Sequence, residues 1–471
     1  MTIRIDYAPG RLPAFWDRSV VFFANMLALF YGNEGATEEL ASTVGGIETY
    51  GGRLCPVLNL LFRGGDNLLV LETPPDDDLL QYFVAELGLD LPEIAILHHE
   101  RYAALCYGVR RAAGVGQRMA RGSLPGDAPA GADHDPAVAR IAGHSAAWLD
   151  GFVTDGMLTA VAEALGKRTV ITPEISRQGN NKLLLHRFLE ARGFPVFDTA
   201  TAEHPADIPA AAASLREKGY RRVVVKAQVG ASGIGMRRLD AVRPELDRVG
   251  EHMFYEGPCL VQGWLDGDLD GVSEVGSPSV QMFLGEESVS LYDVTEQILS
   301  SESIHEGNRA PPPYWRTLPG CEEQMRDQAE AVGRWLHDGG YRGTASADFL
   351  VVERRGRIEV RLCEINARVT GATYPSVLAR RFSPEGCWLM RNLLLDPPIR
   401  GRDLLDALRR AGHLYTEKAR QGVLPINFNA DRAGLVRKGQ FLCLGPAETT
   451  CLDLLMHAAG VLPVTWTYDR D

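Results

Sequence analysis

The chain has 471 residues, 45% hydrophobic and 23% charged, which is ordinary for a soluble globular protein and long enough that two or three domains are expected. A net charge of −12 argues against general nucleic-acid binding, which needs a positive surface, but leaves room for a local basic pocket. No apolar run reaches the length of a membrane span, and the first residues, MTIRIDYAPGRLPAFWDRS, hold no apolar signal core, so no membrane partner and a cytoplasmic location are expected.

The first 170 residues alternate strand-like and helical runs. SVVFFANM (19–26), NLLVLET (67–73), EIAILHH (93–99) and RTVITPE (168–174) read as strands. DDDLLQYFVAELG (76–88) and DGMLTAVAEALG (155–166) have helical periodicity, and each stops at a glycine. This alternation predicts a parallel, Rossmann-like sheet for residues 1–175. The stretch 120–137, ARGSLPGDAPAGADHDPA, is a loop by composition.

A second region starts near 175. NNKLLLHRFLEARGFPV (180–196) opens with an N-cap, Asn180 or Asn181, and its helix stops at Gly193. RVVVK (222–226) is a strand ending in a lysine, followed by a loop with glycines at 230, 233 and 235. CLVQGWLD (259–266) reads as a strand, and SPSVQMFL (277–284) with ESVSLYDVT (287–295) as a hairpin. EEQMRDQAEAVGRWLHDGG (322–340) is an amphipathic helix with Met325, Ala329, Val332 and Leu336 as its apolar stripe.

ADFLVV and IEVRLCEIN form the next strand pair, joined by ERRGR. With the turn centred near Arg355, Asp348 lies across from about Leu362. Strand alternation then puts Glu364 and Asn366 on one face, with Asp348 on the same face of the neighbouring strand. Three oxygen-bearing side chains converge. The tail holds two more strands, GVLPINFN (422–429) and GQFLCLG (439–445), and a helix from about 447 to 459; residues 403–471 read as a small α+β domain.

Lysine is scarce: six of the 49 basic residues are lysines, so a lysine at a motif position is less readily dismissed as surface charge. Lys226 and the loop after it fail two familiar phosphate-loop patterns. A Walker A loop needs lysine right after its last glycine, where Met236 stands. A dinucleotide fingerprint needs G-x-G-x-x-G, whereas the order here is G-x-x-G-x-G. What remains is a lysine on a strand rim and a flexible lid of Gly, Ala and Ser, able to offer a point charge and backbone N–H groups to phosphate. The competing reading is a hairpin whose glycines serve only positive φ.

The order of Lys182 on a helix, Lys226 on a strand, the glycine lid, the strand LVQGWLD and the set D…EIN resembles the ATP-grasp superfamily over roughly 175–400. The resemblance implies an α/β ATP-grasp core over 176–402, behind the Rossmann-like domain. Its nucleotide-clamping part is 176–265, with lid 229–236, and its metal and substrate part is 266–402. It implies that Lys182 and Lys226 touch ATP phosphates and that Gly230, Ser232 and Gly233 close over them. Gln262, Gly263 and Leu265 belong to the hinge facing adenine, and Asp268 or Asp270 reaches the ribose. Asp348, Glu364 and Asn366 match ligands of two Mg2+ ions. CEINARVTGATYP (363–375) is the most specific signal, and its Arg368 matches the arginine that meets the transferred phosphate.

VTEQILSSESIHEGNRAPP (294–312), the front domain and the tail GVLPINFNADRAGLVRKGQFLCL are most like the pheganomycin-type peptide ligases, whose members carry a pre-ATP-grasp domain and a short C-terminal domain. That likeness implies a carboxylate–amine ligase of specialised metabolism. It would activate a small carboxylate as an acyl phosphate and join it to a peptide or amino-acid amine, with Arg309 and Arg368 bracing the developing charge. A free amino-acid acceptor, or a silent nucleotide-binding module, are the alternatives. A homodimer is in keeping with the superfamily. Where TEQ stands an aspartate before the glutamine is usual, which leaves Glu296 without a role.

Three features read as bystanders. DGDLDG (266–271) matches the start of a calcium loop but has Ser277 where a bidentate glutamate is needed. LHHE (97–100) lacks the spacing of a zinc helix. The eight cysteines include no CxxC pair and read as buried thiols.

Overall fold

A computed structural model describes residues 3–30, 33–43, 51–98, 136–231, 233–265, 269, 271–300 and 305–465. The loop at 120–135, His99, Glu100, Ser232, Asp268 and Asp270 lie outside the described residues.

The short strand β1 (Arg4–Tyr7) joins a large sheet described below. The front region then builds a five-stranded sheet from β2 (Val20–Phe23), β3 (Leu68–Leu71), β4 (Glu93–Ile96), β5 (Trp148–Gly151) and β6 (Arg168–Thr169). Its order is β4-β3-β2-β5-β6, and every pairing is parallel. VVFF and LLVL are buried along their whole length, as a parallel sheet covered on both faces requires. The chain starts in the middle, works outward one way and returns the other, the Rossmann-like arrangement expected. Asp76 and Asp155 cap the two expected helices, Asp77–Ala85 and Gly156–Ala164, by accepting from Leu79 N and Leu158 N. RTVITPE is a strand for two residues only. Thr172 caps a helix, Pro173–Gln178, with proline in its first turn, and this ends the extended run.

A four-stranded antiparallel sheet follows: β7 (Thr199–Ala202), β8 (Arg222–Lys226), β9 (Met236–Asp240) and β10 (Cys259–Gly263), in the order β7-β10-β8-β9. One face, with Val223, Val225, Cys259 and Val261, packs on Ile208, Ala211, Ala212 and Leu215 of the helix Ile208–Glu217. The other face carries Val224, Lys226, Leu260 and Gln262, which sit in directly paired positions.

The large sheet has eleven strands. Besides β1 it contains β11 (Val272–Gly276), β12 (Pro278–Leu284), β13 (Ser288–Leu299), β14 (His305–Ala310), β15 (Gly343–Arg354), β16 (Arg357–Asn366), β17 (Cys387–Arg400), β18 (Gly422–Ala430), β19 (Leu435–Gly445) and β20 (Val464–Thr465). The main order is β11-β15-β12-β13-β14-β17-β19-β18, with β16 on β15, β1 on β13 and β20 on β17. The helix Cys321–Asp338 buries Met325, Ala329, Val332 and Leu336 against Val280, Met282 and Leu284 of β12, as its stripe predicts. The tail strands β18 and β19 continue this same sheet through β17, and the helix Glu448–Val461 packs against them.

Candidate active site

Two sheets meet along the helix Lys182–Ala191. Asn181, not Asn180, caps it: its Oδ1 accepts from Leu183 N and Leu184 N, both at 3.0 Å. That cap anchors the helix to the glycine hairpin, because Asn181 Nδ2 donates to Gln228 Oε1 at 2.8 Å and Lys182 N to Gln228 O at 2.9 Å. Asn180 turns the other way and accepts from Arg368 Nη1. Adjacent asparagines therefore serve the helix and the arginine separately.

β15 and β16 carry the three oxygen-bearing side chains. The predicted register is displaced: a bulge between Asp348 and Phe349 sets Asp348 opposite Glu364, and Phe349 opposite Leu362. The extra residue in one strand moves the carboxylates closer than uniform pairing would. Asn366 Nδ2 donates to Asp348 Oδ2 at 2.8 Å, and Ser279 and Ser346 donate to Asp348 Oδ1 at 2.6 and 3.2 Å. Lys182 Nζ reaches Glu364 Oε2 at 2.8 Å.

The electrostatics separate the two carboxyls. Burial, then the neighbouring charge of Glu364, pushes Asp348 up to about 6 despite its hydroxyl donors. Burial would raise Glu364 too, but Lys182, Arg368 and Lys226 outweigh it and hold Glu364 below its ordinary range. Lys226 pays for its position: burial lowers its pKa against the pull of Glu364. Arg368 is buried near both carboxylates, with its Nε lacking a partner. Lys182, Lys226, Asp348, Glu364, Asn366 and Arg368 thus form one cluster.

Beside it lies a narrow cleft between the helix and the two sheets, lined by Lys182, Leu185, Phe197, Leu260, Gln262 and Leu362 among others. Gln262 donates to Thr199 Oγ1 at 3.0 Å, and its buried Oε1 has no partner. Gly263 N is bonded to Asp198 O, and a Cβ on Gly263 would meet the Tyr220 ring at 2.5 Å. Leu265 is buried in the core of the four-stranded sheet. The sequence reading missed Phe197, Leu260 and Leu362. Period two offered a signal at Leu260, which precedes Gln262 by two residues, but the bulge breaks it between Leu362 and Glu364.

The glycine loop closes the β8–β9 hairpin. Gly233 and Gly235 have φ of +81° and +76°, and a Cβ on Gly230 would lie 2.4 Å from Ile234 O. The positive-φ reading therefore holds for Gly233 and Gly235, while Gly230 is confined by Ile234 O.

Arg309 is not brought to the cluster. GNRA is part of strand β14, where Arg309 faces Glu296. Alternation sends both to the sheet face opposite Asp348, Ser279 and Thr295, which pair in one row. There Arg309 bonds Glu448, and Tyr314 bonds Glu296. Among the described residues no group of three or more His, Cys, Asp and Glu forms a metal site; the candidate set is two carboxylates and an amide.

No protein-family model matches the chain. A curated protein of Niallia circulans, "[Butirosin acyl-carrier protein]--L-glutamate ligase", is 25% identical over 227 residues, 47% of this chain. The chain spans about half (51%) of that relative's length. Among solved structures, biotin carboxylase from Campylobacter jejuni superposes with a TM-score of 0.54 at 12% identity, over 95% of this chain and 92% of that one. N5-carboxyaminoimidazole synthetase from Staphylococcus aureus, complexed with ADP, gives 0.51 at 11% identity, over 94% and 97%. These likenesses concern the fold, and they meet the expectation drawn from the order of lysines, lid and carboxylates: the chain has the ATP-grasp fold.

Proposed function

We propose that the protein is an ATP-dependent carboxylate–amine ligase that forms a peptide bond through an acyl phosphate. The observation that carries this reading is the half-buried cluster of Lys182, Lys226 and Arg368 around Asp348, Glu364 and Asn366, next to a cleft ending at Gln262. On this reading the core 176–402 does the chemistry, and residues 1–175 and 403–471 flank it.

Each group has a task its chemistry suits. The apolar walls Phe197, Leu260 and Leu362 take the adenine, and the unpartnered Gln262 Oε1 takes an N–H from its edge. Lys182 and Lys226 neutralise phosphate oxygens, and the backbone of the 229–236 lid shields them from water. The hard oxygens of Asp348, Glu364 and Asn366 suit magnesium, and two half-buried carboxyls with one pushed up to about 6 are a site a divalent cation relieves. Bound there, magnesium supplies charge neutralisation at phosphate oxygens. Asn180 and burial fix Arg368, which braces the phosphoryl group as it moves.

The reaction balances without another reagent. A carboxylate oxygen of the donor attacks the γ-phosphorus, and the bond to ADP breaks. The amine nitrogen then attacks the acyl carbon, the C–O bond to phosphate breaks, and the amine proton leaves with phosphate or solvent. The donor is a small amino-acid-like carboxylate and the acceptor a peptide amino terminus, as in the specialised-metabolite ligases the sequence resembles. The likeness to an acyl-carrier protein–L-glutamate ligase favours a second reading in which a free amino acid takes part.

The test is phosphate release from ATP and magnesium, screened against paired amino acids and short peptides, with mass spectrometry of products. ADP plus a new amide that needs both an acyl donor and an amine supports the ligase. Nucleotide binding without phosphate release for any pair counts against it.

A further inference from the structure

A short stretch of the front domain reaches the glycine hairpin. It leaves β2, the middle strand of the front sheet, and is fixed at once to the exit of β5. Asn25 Nδ2 donates to Val153 O at 2.8 Å, and Asn25 Oδ1 accepts from Val153 N at 3.2 Å. A 3-10 turn, Met26–Phe30, follows. Asn33 then opens the helix Glu34–Thr43, its Oδ1 accepting from Ala36 N at 3.2 Å.

This stretch meets the hairpin region in three ways. Ile234 of the glycine loop is buried with Phe30 and Ala36, in a small apolar cluster separate from the core of its own sheet. Glu39 Oε2 accepts from Arg237 Nη2 at 2.8 Å and lies 3.0 Å from His252 Nε2. Asn33 Nδ2 donates to His252 O at 2.9 Å, and Gly35 comes so near that a Cβ there would lie 2.6 Å from His252 Cβ. The carboxylate of Glu39 is 16% exposed and the guanidinium of Arg237 23%, so their charge-assisted bond is largely shielded from water.

The grip comes from behind. Lys226 pairs with Met236, and Val225 with Arg237. Alternation therefore puts Lys226 on one face of the hairpin and Arg237 on the other. Glu39 holds the strand next to the loop without standing on the face of Lys226. A glycine-rich loop has much backbone freedom to lose on being fixed. The buried Ile234 and the Glu39 pair offset that loss, so the loop has a docked and an undocked form whose balance these contacts set.

We propose that Glu39 is a positioning residue for the glycine loop: with Ile234 seated on Phe30 and Ala36, it locks the β8–β9 hairpin to the front domain, and this lock sets how tightly the phosphates of a bound nucleotide are held. The proposal rests on the nucleotide-binding part of the ligase reading and gives the front domain a task in nucleotide retention.

The full chain is compared as wild type, Glu39→Gln, Arg237→Gln and the double variant. Hydrogen exchange without nucleotide reads the lock itself. Amides of 234–237 should exchange about tenfold faster in Glu39→Gln, while those of β2, β3 and β5 keep wild-type rates. Calorimetry reads the effect on ligands. Each single variant is expected to bind MgADP about tenfold more weakly, since apparent affinity falls with the docked fraction, and to bind adenosine, which has no phosphate, as the wild type does. The double variant should lose no more than the worse single one, because both changes break the same contact. Unchanged exchange at 234–237 overturns the lock. Faster exchange with unchanged MgADP affinity overturns its link to nucleotide retention. An equal loss for MgADP and adenosine overturns the positioning role, because a merely structural ion pair would weaken both. Failure of the wild-type chain to bind MgADP instead overturns the nucleotide reading on which the proposal stands.

Discussion

Lys182 Nζ sits 2.8 Å from Glu364 Oε2, and this contact joins the first residue of the helix Lys182–Ala191 to the far end of β16. It ties one lysine of the proposed site directly to one of the carboxylates. Lys182 therefore holds Glu364 ionised, and under the proposed function it also meets phosphate. Lys182→Ala should raise KM for ATP at least tenfold and also lower kcat, because Glu364 loses its nearest counter-charge. A change in KM alone would mean that Glu364 does not depend on it.

Lys226 is half-buried, and desolvation lowers its pKa, so its charge costs some stability near neutral pH. With the folded pKa depressed, the folded state gains relative to the unfolded state as pH rises and loses as pH falls through the folded value. Lys226→Met should hold or raise the melting temperature of the ligand-free protein at pH 7 while weakening MgADP binding about tenfold or more. A fall of several degrees in melting temperature, with ADP affinity intact, would make Lys226 a structural residue.

Much of this site was legible in the sequence because strands alternate. Period two put Glu364 and Asn366 on one face, and the scarcity of lysine drew attention to Lys182 and Lys226. The bulge at Asp348 was not legible, since an inserted residue leaves no mark in composition; the convergence survived because the bulge tightened it. Asn180 and Asn181 could not be told apart, because the choice depends on Arg368, almost 190 positions away. The walls Phe197, Leu260 and Leu362 come from a loop and two strands and exist only once those pack. Arg309 came from the likeness alone, and a likeness does not tell which face of a strand a side chain takes; on β14 it lies on the face away from Asp348.

Arg309 and Glu448 form a partly exposed pair on the face away from Asp348. Pairs of this kind contribute about 1 kcal/mol or less. Arg309→Ala should lower the melting temperature by a few degrees at most and leave kcat within about threefold of wild type, since no group of the cluster lies on its face. A loss of two orders of magnitude in kcat with stability unchanged would restore a direct role in the chemistry.

Gly230 has no room for a side chain, because a Cβ there would press on Ile234 O at 2.4 Å, a backbone atom that cannot move alone. Gly230→Ala should therefore deform the lid rather than the sheets. KM for ATP is expected to rise about tenfold, with a larger share of ATP hydrolysed without coupling to amide formation, as water enters. Far-UV circular dichroism should stay that of the parent. Coupled turnover at the parental rate would show that the lid tolerates another shape.

Asp150 ends β5 in the front sheet and accepts from Gly151 N at 2.8 Å, and burial pushes it up to about 7, Arg18 offsetting only part. The sign of its contribution follows. A carboxyl with an ordinary unfolded pKa near 3.9 and a higher folded one binds more protons when folded. Stability from this group is complete below about pH 4 and is lost as pH rises toward 7. Asp150→Asn keeps an oxygen for Gly151 N and removes the ionisation. It should stabilise the protein at pH 7.5 by about 1–2 kcal/mol, with solvent at the partly exposed side chain limiting the gain, and by nothing near pH 4. Chemical denaturation of the two proteins across that range measures it. A gap that is constant with pH would assign the difference to packing, and a destabilised variant at pH 7.5 would mean that the ionised carboxylate, held by Arg18, is the form the fold requires.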